Sequence, residues 1–531
     1  GVMENDSLLA MPFFALMGLI LERSGMAEDL LDTVGQLFGP LRGGLAIAVV
    51  LVGALLAATT GVVAASVISM GLISLPIMLR YGYNRTIATG TITASGTLAQ
   101  AIPPSLVLIV LADQLGRSVG DMYAGGMIPG LMLVGLYLLF IGAVAIVKPD
   151  WVPALPIEAR IYNEPDGSSG HRSLGILMAI CAVAGYSWSQ VHDGIVSPWI
   201  GREMPAAKDE IVILSITVAS FLALGLAIVN RVLKIGLLSR LAEQVTFVLI
   251  PPLVLIFLVL GTIFLGIATP TEGGAMGALG ALIMAGSRGR ITKALMNQAM
   301  ENTTKLAVFV LFILIGSTVF SFTFNAADGH IWVEHLFDGI PGGQMGFLLV
   351  VNALVFILGM FIDFFEIAFI VVPLLAPVAD KMGIDLIWFG IILAMNLQTS
   401  FLTPPFGFAL FYLRSVAARS DYTDVVTKQR IPAVTTSQIY KGSIAFIVLQ
   451  LIMVAVVISF PSVVTGSIEK AVTVDETTVN DMLNNMQMDN GEEPAAPEAE
   501  GADKPAEDGM PKPPAEAEED PMKALKDSMK K

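Results

Sequence analysis

The chain has 531 residues, of which 55% are apolar and 14% charged, and its mean hydropathy is +0.75. This composition excludes an ordinary soluble domain and predicts a membrane protein with many apolar spans. The formal net charge is −15, of which −10 falls between Ser467 and Lys531. The single cysteine, Cys181, excludes an internal disulfide and a cysteine-based metal site.

The first 42 residues are predicted to form one scaffold helix and one interfacial helix. The run LLAMPFFALMGLIL is apolar throughout, and the amphipathic MAEDLLDTVGQLFGPL that follows it is typical of a helix in the membrane surface. Because the chain opens with Gly1 and no cleavage site precedes the first run, we expect a truncated start with a missing upstream helix. Full spans are predicted at 7–21, 124–147, 174–190, 211–230, 245–264, 266–286, 306–324 and 442–461.

Two apolar segments, 43–79 and 345–378, are predicted to be re-entrant hairpins. Each contains more than 30 residues with a small or polar interruption near its middle. Each half has about 15 residues, which is too short to cross roughly 30 Å of hydrocarbon at 1.5 Å per residue.

The sequence also contains an internal repeat with an offset of 301 residues. Pro76, Gly82 and the pair Pro103-Pro104 recur as Pro377, Gly383 and Pro404-Pro405. A membrane helix cannot run smoothly through Pro-Pro, because two N–H donors are missing and the rings clash with the preceding turn. Segments 86–112 and 386–413 are therefore predicted to be broken helices, which are typical of ion and substrate sites between transporter repeats.

The distribution of Lys and Arg between the loops predicts the orientation of the chain. The loop after the first hairpin contains Arg80, and loop 287–305 is also basic, whereas loop 325–344 has no Lys or Arg. This places Arg80 and Lys293 in the cytoplasm and the acidic tail outside. The first hairpin then enters from the cytoplasm and the second from the opposite face, so the repeats are inverted.

The resulting prediction is an all-α polytopic membrane protein with inverted repeats, two re-entrant hairpins and two broken helices. The predicted regions are an N-terminal scaffold (1–42), transport repeat 1 (43–123), scaffold spans and loops (124–344), transport repeat 2 (345–414), a loop and last span (415–466) and a disordered acidic tail (467–531).

Hairpin tips and helix breaks expose carbonyl and hydroxyl oxygens, which suit Na⁺ without adding net charge. We therefore expect two sodium sites, one in each repeat, where a tip faces a break. The predicted ligands are Thr59, Thr60, Gly61, Ser95, Gly96 and Thr97 in repeat 1, and Gly359, Asp363, Asn396, Gln398 and Thr399 in repeat 2.

The substrate is expected between these sites, near Thr97, Pro104, Thr399 and Pro405, with a carboxylate facing helix N-termini after the breaks. No Lys or Arg lies within the spans near the breaks, so Arg414 is the nearest cationic candidate. Bound sodium would then supply most of the positive charge.

Helix packing and helix capping are the alternative roles for these residues. Any single Ser or Thr here could serve helix packing, and Asp363 could cap the second hairpin tip rather than bind an ion. Glu272, in Thr-Pro-Thr-Glu, is better explained as the first-turn acid of a helix capped by Thr269. No phosphate-binding loop, acid–base pair or nucleophile elbow is visible, so no enzyme activity and no nucleic-acid partner are expected.

The chain resembles the large membrane subunit of tripartite ATP-independent periplasmic (TRAP) transporters, the DctM-like family. The resemblance covers about residues 3–465, and its last two motifs resemble the branch named for mannitol or chloroaromatic compounds. The motifs are ENDSLLAMPFFALMG, ITASGTLAQAIPPS, GIATPTEGGAMG, GMFIDFFEIAFIVVPLLAP and NLQTSFLTPPFGFALFYLRSVA.

This resemblance implies sodium-coupled, elevator-type uptake of an organic acid across the bacterial inner membrane. It also implies two partners, a periplasmic (DctP-like) binding protein that delivers the organic anion and a small four-helix (DctQ-like) membrane subunit. The alternative is a self-sufficient sodium/anion symporter of the same superfamily, which takes its substrate directly from solution.

Overall fold

The structure, a computed structural model, describes residues 6–161, 170–201, 206, 208–234, 236, 238–466 and 468. These residues belong to one compact unit, Gly1–Glu469, and they are almost entirely helical. The predicted all-α class is confirmed. The acidic tail predicted at 467–531 lies outside the described residues, apart from Ile468.

The amino-terminal part of the unit contains the first hairpin and the first broken helix. Its helices are α1 Asp6–Arg23, α2 Met26–Phe38, α3 Gly44–Thr60, α4 Val63–Arg80, α5 Arg85–Thr97, α6 Leu106–Gln114, α7 Val119–Val147, α8 His171–Ile200, α9 Lys208–Leu233 and α10 Arg240–Phe264.

The carboxy-terminal part contains their counterparts and a small β-hairpin, in which β1 (Tyr422–Thr423) pairs with β2 (Arg430–Ile431) in antiparallel register. Its helices are α11 Pro270–Ser287, α12 Lys293–Ala326, α13 Gly329–Asp338, α14 Gly343–Leu358, α15 Phe364–Glu366, α16 Val372–Lys381, α17 Leu386–Leu402, α18 Phe408–Val416, α19 Thr436–Ser459 and α20 Ser462–Thr465.

Each predicted full span corresponds to one helix, although not every such helix is equally suited to a membrane. Among the described residues, seven helices are long and apolar enough to cross one, namely α4, α7, α8, α9, α10, α12 and α19. The pair α1–α2, bent by 61°, would make an eighth. Helix α11, predicted as the span 266–286, is not among them. It packs along α1 and begins at the predicted cap, where Glu272 Oε2 accepts from Thr269 N at 2.8 Å.

Both predicted hairpins are present as pairs of helices, although α4, with 18 residues, is longer than the predicted half and is by itself long enough to cross a membrane. The first hairpin turns at Gly61. Its φ of +59° lies in the left-handed region, which favours glycine, and its N–H donates to Ala57 O. The second passes from α14 through an open turn to Asp363, α15 and a π-helical turn at Ile367–Val371. A π-turn widens the helix and leaves the regular i−4 hydrogen-bond ladder.

Both predicted breaks are also present. After α5, a 3₁₀ turn at Leu98–Gln100 leads into Pro103-Pro104 before α6 begins. Helix α17 stops at Leu402, and Pro404-Pro405 precedes α18. The second proline of each pair follows a cis peptide bond, so the two repeats share even this backbone detail.

Ion pairs show that the two hairpins end at opposite ends of the first broken helix. Arg80, at the end of the first hairpin, lies five residues before Arg85, where α5 begins, and it binds Asp424. Arg117 follows α6 at the other end, and its guanidinium lies 3.8 Å from Asp380 of the second hairpin. This arrangement agrees with the predicted inversion of the repeats.

The two unbroken helices that follow the broken ones, α7 and α19, pack on each other and on the break helices. Gly90 of α5 and Gly442 of α19 are in direct contact, because a Cβ built on Gly90 would lie 2.2 Å from Gly442 O. Every residue of α17 is buried, as is α5 from Ile87 onward. The centre of the unit is therefore the pair of broken helices, enclosed by the hairpins, α7 and α19.

An ion pair ties the end of the first hairpin to the loop after the second broken helix. Arg80 Nε donates to both oxygens of Asp424 at 3.0 and 3.1 Å, and Thr427 donates to Asp424 Oδ2 through N and Oγ1 at 2.7 and 2.8 Å. Burial opposes the charged form of Asp424. The hydrogen bonds from Thr427 and Arg80 outweigh it and lower the pKa of Asp424 from 3.8 to about 2.

We expect Asp424→Asn to destabilise the protein by about 1–3 kcal/mol at pH 7, because Arg80 loses its charged partner. A carboxyl group whose pKa is lower in the folded state than in the unfolded state contributes its full stabilisation of the fold at pH values above the unfolded-state pKa. This stabilisation is lost as the pH falls from about 4 towards 2. The difference in thermal midpoint between wild type and variant should therefore shrink over that range. Asp421→Asn removes an exposed pair with Arg430 in the same loop and should change stability much less than Asp424→Asn does. Equal effects of the two variants would contradict this account.

Candidate functional site

The hydroxyls of the first break are buried and turned towards their own helix. Ser95 Oγ donates to Thr91 O at 2.6 Å, and Thr97 Oγ1 donates to Ala94 O at 2.9 Å. In both cases the hydroxyl oxygen keeps lone pairs that can still accept or coordinate. Gly96 packs against α4, since an added Cβ would lie 2.3 Å from Val67 Cγ2.

The second break presents amides as well as hydroxyls. Asn396 Nδ2 donates to Asn352 O of the hairpin at 2.7 Å, and Thr399 Oγ1 donates to Met395 O at 3.0 Å. Gln398 is fully buried, and neither atom of its amide has a hydrogen-bond partner within the described part of the chain. Buried polar groups are rarely left unpaired, and those that are call for an explanation such as an ion or ligand.

The hairpin tips lie beside the breaks, but at a different level from the predicted one. Gly61 packs on Leu106, where α6 begins, with 2.9 Å from an added Cβ to Leu106 Cγ. Thr59 Oγ1 donates within its own helix to Leu56 O at 2.9 Å. Ser95 instead faces Gly53, in the middle of α3. The side chain of Thr60 lies outside the described residues.

The second tip contacts its break directly. A Cβ added to Gly359 would lie 2.7 Å from Ser400 Cβ, so only glycine permits this approach. Asp363 caps α15, since its Oδ1 accepts from Phe364 N at 2.8 Å. The carboxylate of Asp363 thus has the capping role that was the alternative to ion binding.

The prolines and Arg414 define the far side of the breaks. Pro405 O accepts from Tyr440 Oη at 3.0 Å, which ties the second break to α19. Pro104 is buried in the equivalent position of the first break. Both η nitrogens of Arg414 bind loop carbonyls, Nη1 to Val434 O and Nη2 to Ala417 O. Arg414 therefore supports the loop after α18 in this conformation.

Three buried polar residues that sequence reasoning missed lie around the site without belonging to its proposed ligands. Gln450 Nε2, from α19, donates to Tyr137 Oη of α7 at 2.7 Å and to Thr97 Oγ1 at 3.3 Å. Gln100, in the 3₁₀ turn, is fully buried with both amide atoms unpaired among the described residues. The signal for Gln450 was available, because a lone amide within an apolar span is expensive and therefore informative.

The site thus consists of neutral oxygens and amides at two helix breaks. Helix α17 contains no charged residue, and α5 contains none after Arg85. Within the described ranges, no group of three or more His, Cys, Asp or Glu could hold a metal ion. The N-termini of α6 and α18 follow the breaks, and their dipoles favour negative charge there. Such a site can hold a small monovalent cation and an anion, bound through backbone and neutral side chains.

Inverted hairpins and broken helices around a buried polar centre define a multi-pass membrane transport protein. The chain belongs to the DctM family, described as the tripartite ATP-independent periplasmic transporter, DctM component, which matches residues 1–463. The resemblance seen in the sequence is thereby confirmed. Proteins of this family are permease subunits that work with a small membrane subunit and a periplasmic binding protein.

Individual relatives agree with this assignment. The C4-dicarboxylate TRAP transporter large permease DctM of Pseudomonas aeruginosa is 28% identical over 414 residues, which cover 78% of each chain. The ectoine large permease TeaC of Halomonas elongata is 24% identical, covering 86% of this chain and 85% of the relative. The solved YdaH transporter of Alcanivorax borkumensis has the same fold. It aligns with a TM-score of 0.50 and 13% identity over 86% of this chain and 85% of that one.

Proposed function

We propose that this protein is the permease subunit of a sodium-coupled TRAP transporter that imports an organic acid across the bacterial inner membrane. A DctP-like periplasmic protein delivers the mono- or dicarboxylate, and a DctQ-like four-helix subunit completes the membrane complex. The substrate crosses unchanged, so the protein is not an enzyme. Residues 43–123 and 345–414 form the moving transport region of an elevator, α7 and α19 move with this region because they pack on the broken helices, and the other spans form its scaffold.

The observation that carries this proposal is the buried centre where the two breaks meet. Thr97 and Gln398 are equivalent positions of the two repeats, both are fully buried, and the helices that carry them, α5 and α17, contact each other. Buried oxygens with no Lys or Arg among them favour a cation that enters and leaves with an anion. A fixed protein charge would instead hold the anion permanently.

Sodium would be held by the oxygens that line each break. In repeat 1, the Ser95 and Thr97 hydroxyls are the best placed, and in repeat 2, the Asn396 and Gln398 side-chain oxygens. Tip residues contribute carbonyls beside them. The proposed set is Thr59, Thr60, Gly61, Ser95, Gly96 and Thr97 with Gly359, Asp363, Asn396, Gln398 and Thr399.

The organic acid would bind between the two sodium ions, near Thr97, Pro104, Thr399 and Pro405. Relatives bear names that include C4-dicarboxylates, sialic acid and ectoine, all of which carry a carboxylate. A carboxylate would face the N-termini of α6 and α18, with Arg414 as a more distant cation. The mannitol label of the resembling branch fits this charge pattern less well than an acid does.

Sodium should stabilise the purified permease complex independently of any substrate. A ligand that binds only the folded state adds about 2.7 kcal/mol at 100 times its dissociation constant. We expect the thermal midpoint in 100 mM NaCl to exceed that in 100 mM choline chloride by several degrees. Succinate, used as a carboxylate probe, should bind more weakly in choline, because linkage between the ion and the anion is reciprocal.

The choice of transporter type is tested in proteoliposomes. Sodium-driven uptake that requires a cognate binding protein supports the tripartite system, and uptake without it supports the self-sufficient symporter. Identical midpoints in sodium and choline, together with identical succinate affinity, would refute sodium coupling. Potassium chloride at the same concentration tests whether the effect is specific to sodium, since all three salts have the same ionic strength.

A further inference from the structure

A chain of buried polar groups extends from the two breaks into α7 and α19. Gln450 Nε2 binds both Tyr137 Oη, at 2.7 Å, and Thr97 Oγ1, at 3.3 Å. Thr97 gives its own proton to Ala94 O, so its oxygen is free to accept from Gln450. These three side chains are each at most 1% exposed, so water cannot substitute for any of these contacts.

The same chain reaches the second repeat. The Tyr137 hydroxyl faces Gln398, the counterpart of Thr97 at the 301-residue offset. The Gln398 amide and Gln450 Oε1 are buried without a hydrogen-bond partner in the portion of the protein that the structure describes. Tyr137 Oη accepts from Gln450 Nε2, so its own proton is available to one of these neighbouring oxygens, and the other oxygen is left for a bound species.

The bridge is held by rigid packing. The Tyr137 ring meets Phe446 edge-on at 5.1 Å between centroids, and Phe140 meets the same ring at 5.1 Å. Helix α19 is in turn fixed against α5 by the Gly90–Gly442 contact. The hydroxyl oxygen on a ring held in this way keeps its position between Thr97 and Gln398, while its proton can still turn towards either side.

We propose that Tyr137 and Gln450 are positioning residues that couple the two sodium sites. This rests on the proposed function. Loading the Thr97 site fixes the Gln450 amide, which orients Tyr137 and presets Gln398 for the second ion. Sodium binding is then cooperative through these two side chains, neither of which is itself an ion ligand.

A purely structural role is the competing account, since hydrogen bonds between membrane helices stabilise only modestly. Under that account, removing one bond lowers stability without changing how sodium ions cooperate. Cooperativity in sodium is therefore the deciding readout, and stability is the accompanying measurement.

The test measures sodium-dependent stabilisation and uptake in the full complex for wild type, Tyr137→Phe, Gln450→Met and the double variant. We expect a wild-type Hill coefficient for sodium of about 2. In each single variant we expect a value near 1 and at least a threefold higher half-saturating sodium concentration. Maximal uptake at saturating sodium should stay within twofold. The double variant should match the singles, because both residues act through one bridge.

Tyr123→Phe is the matched control. Tyr123 lies on the same helix and is fully buried, and its hydroxyl has no hydrogen-bond partner among the described residues. It should keep the wild-type Hill coefficient. If wild type is cooperative and both bridge variants stay so, the coupling is refuted while sodium transport stands. If wild type shows no sodium dependence, the proposed function fails and the coupling fails with it.

Discussion

Replacing Asn396 by Leu should abolish sodium-dependent uptake while the protein still folds. The Asn396 Nδ2 is committed to Asn352 O at 2.7 Å, so only its oxygen is left to coordinate an ion. Loss of even an outer-shell group costs metal sites roughly 10–100-fold in affinity, and loss of a ligand should cost at least as much. Loss of the hydrogen bond to the Asn352 carbonyl should also lower stability, by about 0.5–1.5 kcal/mol. Uptake into proteoliposomes across a sodium titration measures the first effect, and a thermal melt the second.

Thr246→Val serves as the control for losing a buried polar group. Thr246 is buried in α10, and its hydroxyl donates to Ala242 O at 2.7 Å within its own helix. Its replacement should leave the sodium titration unchanged. An Asn396→Leu protein with wild-type sodium affinity would remove Asn396 from the proposed ligands.

Replacing Gly90 by Ala should prevent the transport core from assembling. The new Cβ would lie 2.2 Å from Gly442 O and 2.6 Å from Gly442 C, and both are backbone atoms that no side-chain rotation can move away. Overpacking usually costs about 1–3 kcal/mol, and a backbone clash lies at the upper end or beyond. We expect little monodisperse protein by size-exclusion chromatography.

Gly135→Ala in α7 is the matched control, because an added Cβ there meets nothing within 4 Å. It should leave yield unchanged and add slightly to helix stability, by up to about 1 kcal/mol. Gly90→Ala protein with wild-type yield and melting temperature would mean that α19 does not pack on α5 as described.

The sequence predicted the architecture because its strongest signals are local. The proline pairs at 103–104 and 404–405 do interrupt their helices, whereas α10 runs unbroken through Pro251-Pro252, so a proline pair alone does not decide a break. The repetition of the pair at the 301-residue offset is what identified the two breaks, and apolar halves of about 15 residues indicated the two hairpins. The two-residue strands at Tyr422 and Arg430 were missed, since so short an alternation leaves no readable period.

The site itself was only partly predictable, because its contacts join distant segments. The repeat shows that Thr97 and Gln398 are equivalent, but it does not show that Tyr137 and Gln450 lie between them. The repeat also does not reveal which positions have no room for a larger side chain. Ser95 faces Gly53 so closely that a bulky residue at position 95 would disrupt packing, so Ser95→Ala is the informative replacement there.

The enclosure of α5 by later helices has a consequence for how the protein is made. In the finished protein this Thr-rich helix is buried from Ile87 to Thr97. Its hydroxyls would be poorly solvated if the helix faced lipid alone. One of its partners, Gln450, is synthesised 353 residues after Thr97. The ribosome therefore releases α5 into the bilayer long before α17 and α19 exist. Until those helices are made, α5 can pack only against its own hairpin or the insertion machinery. We therefore expect chains that end before α17 to be degraded faster than the full chain.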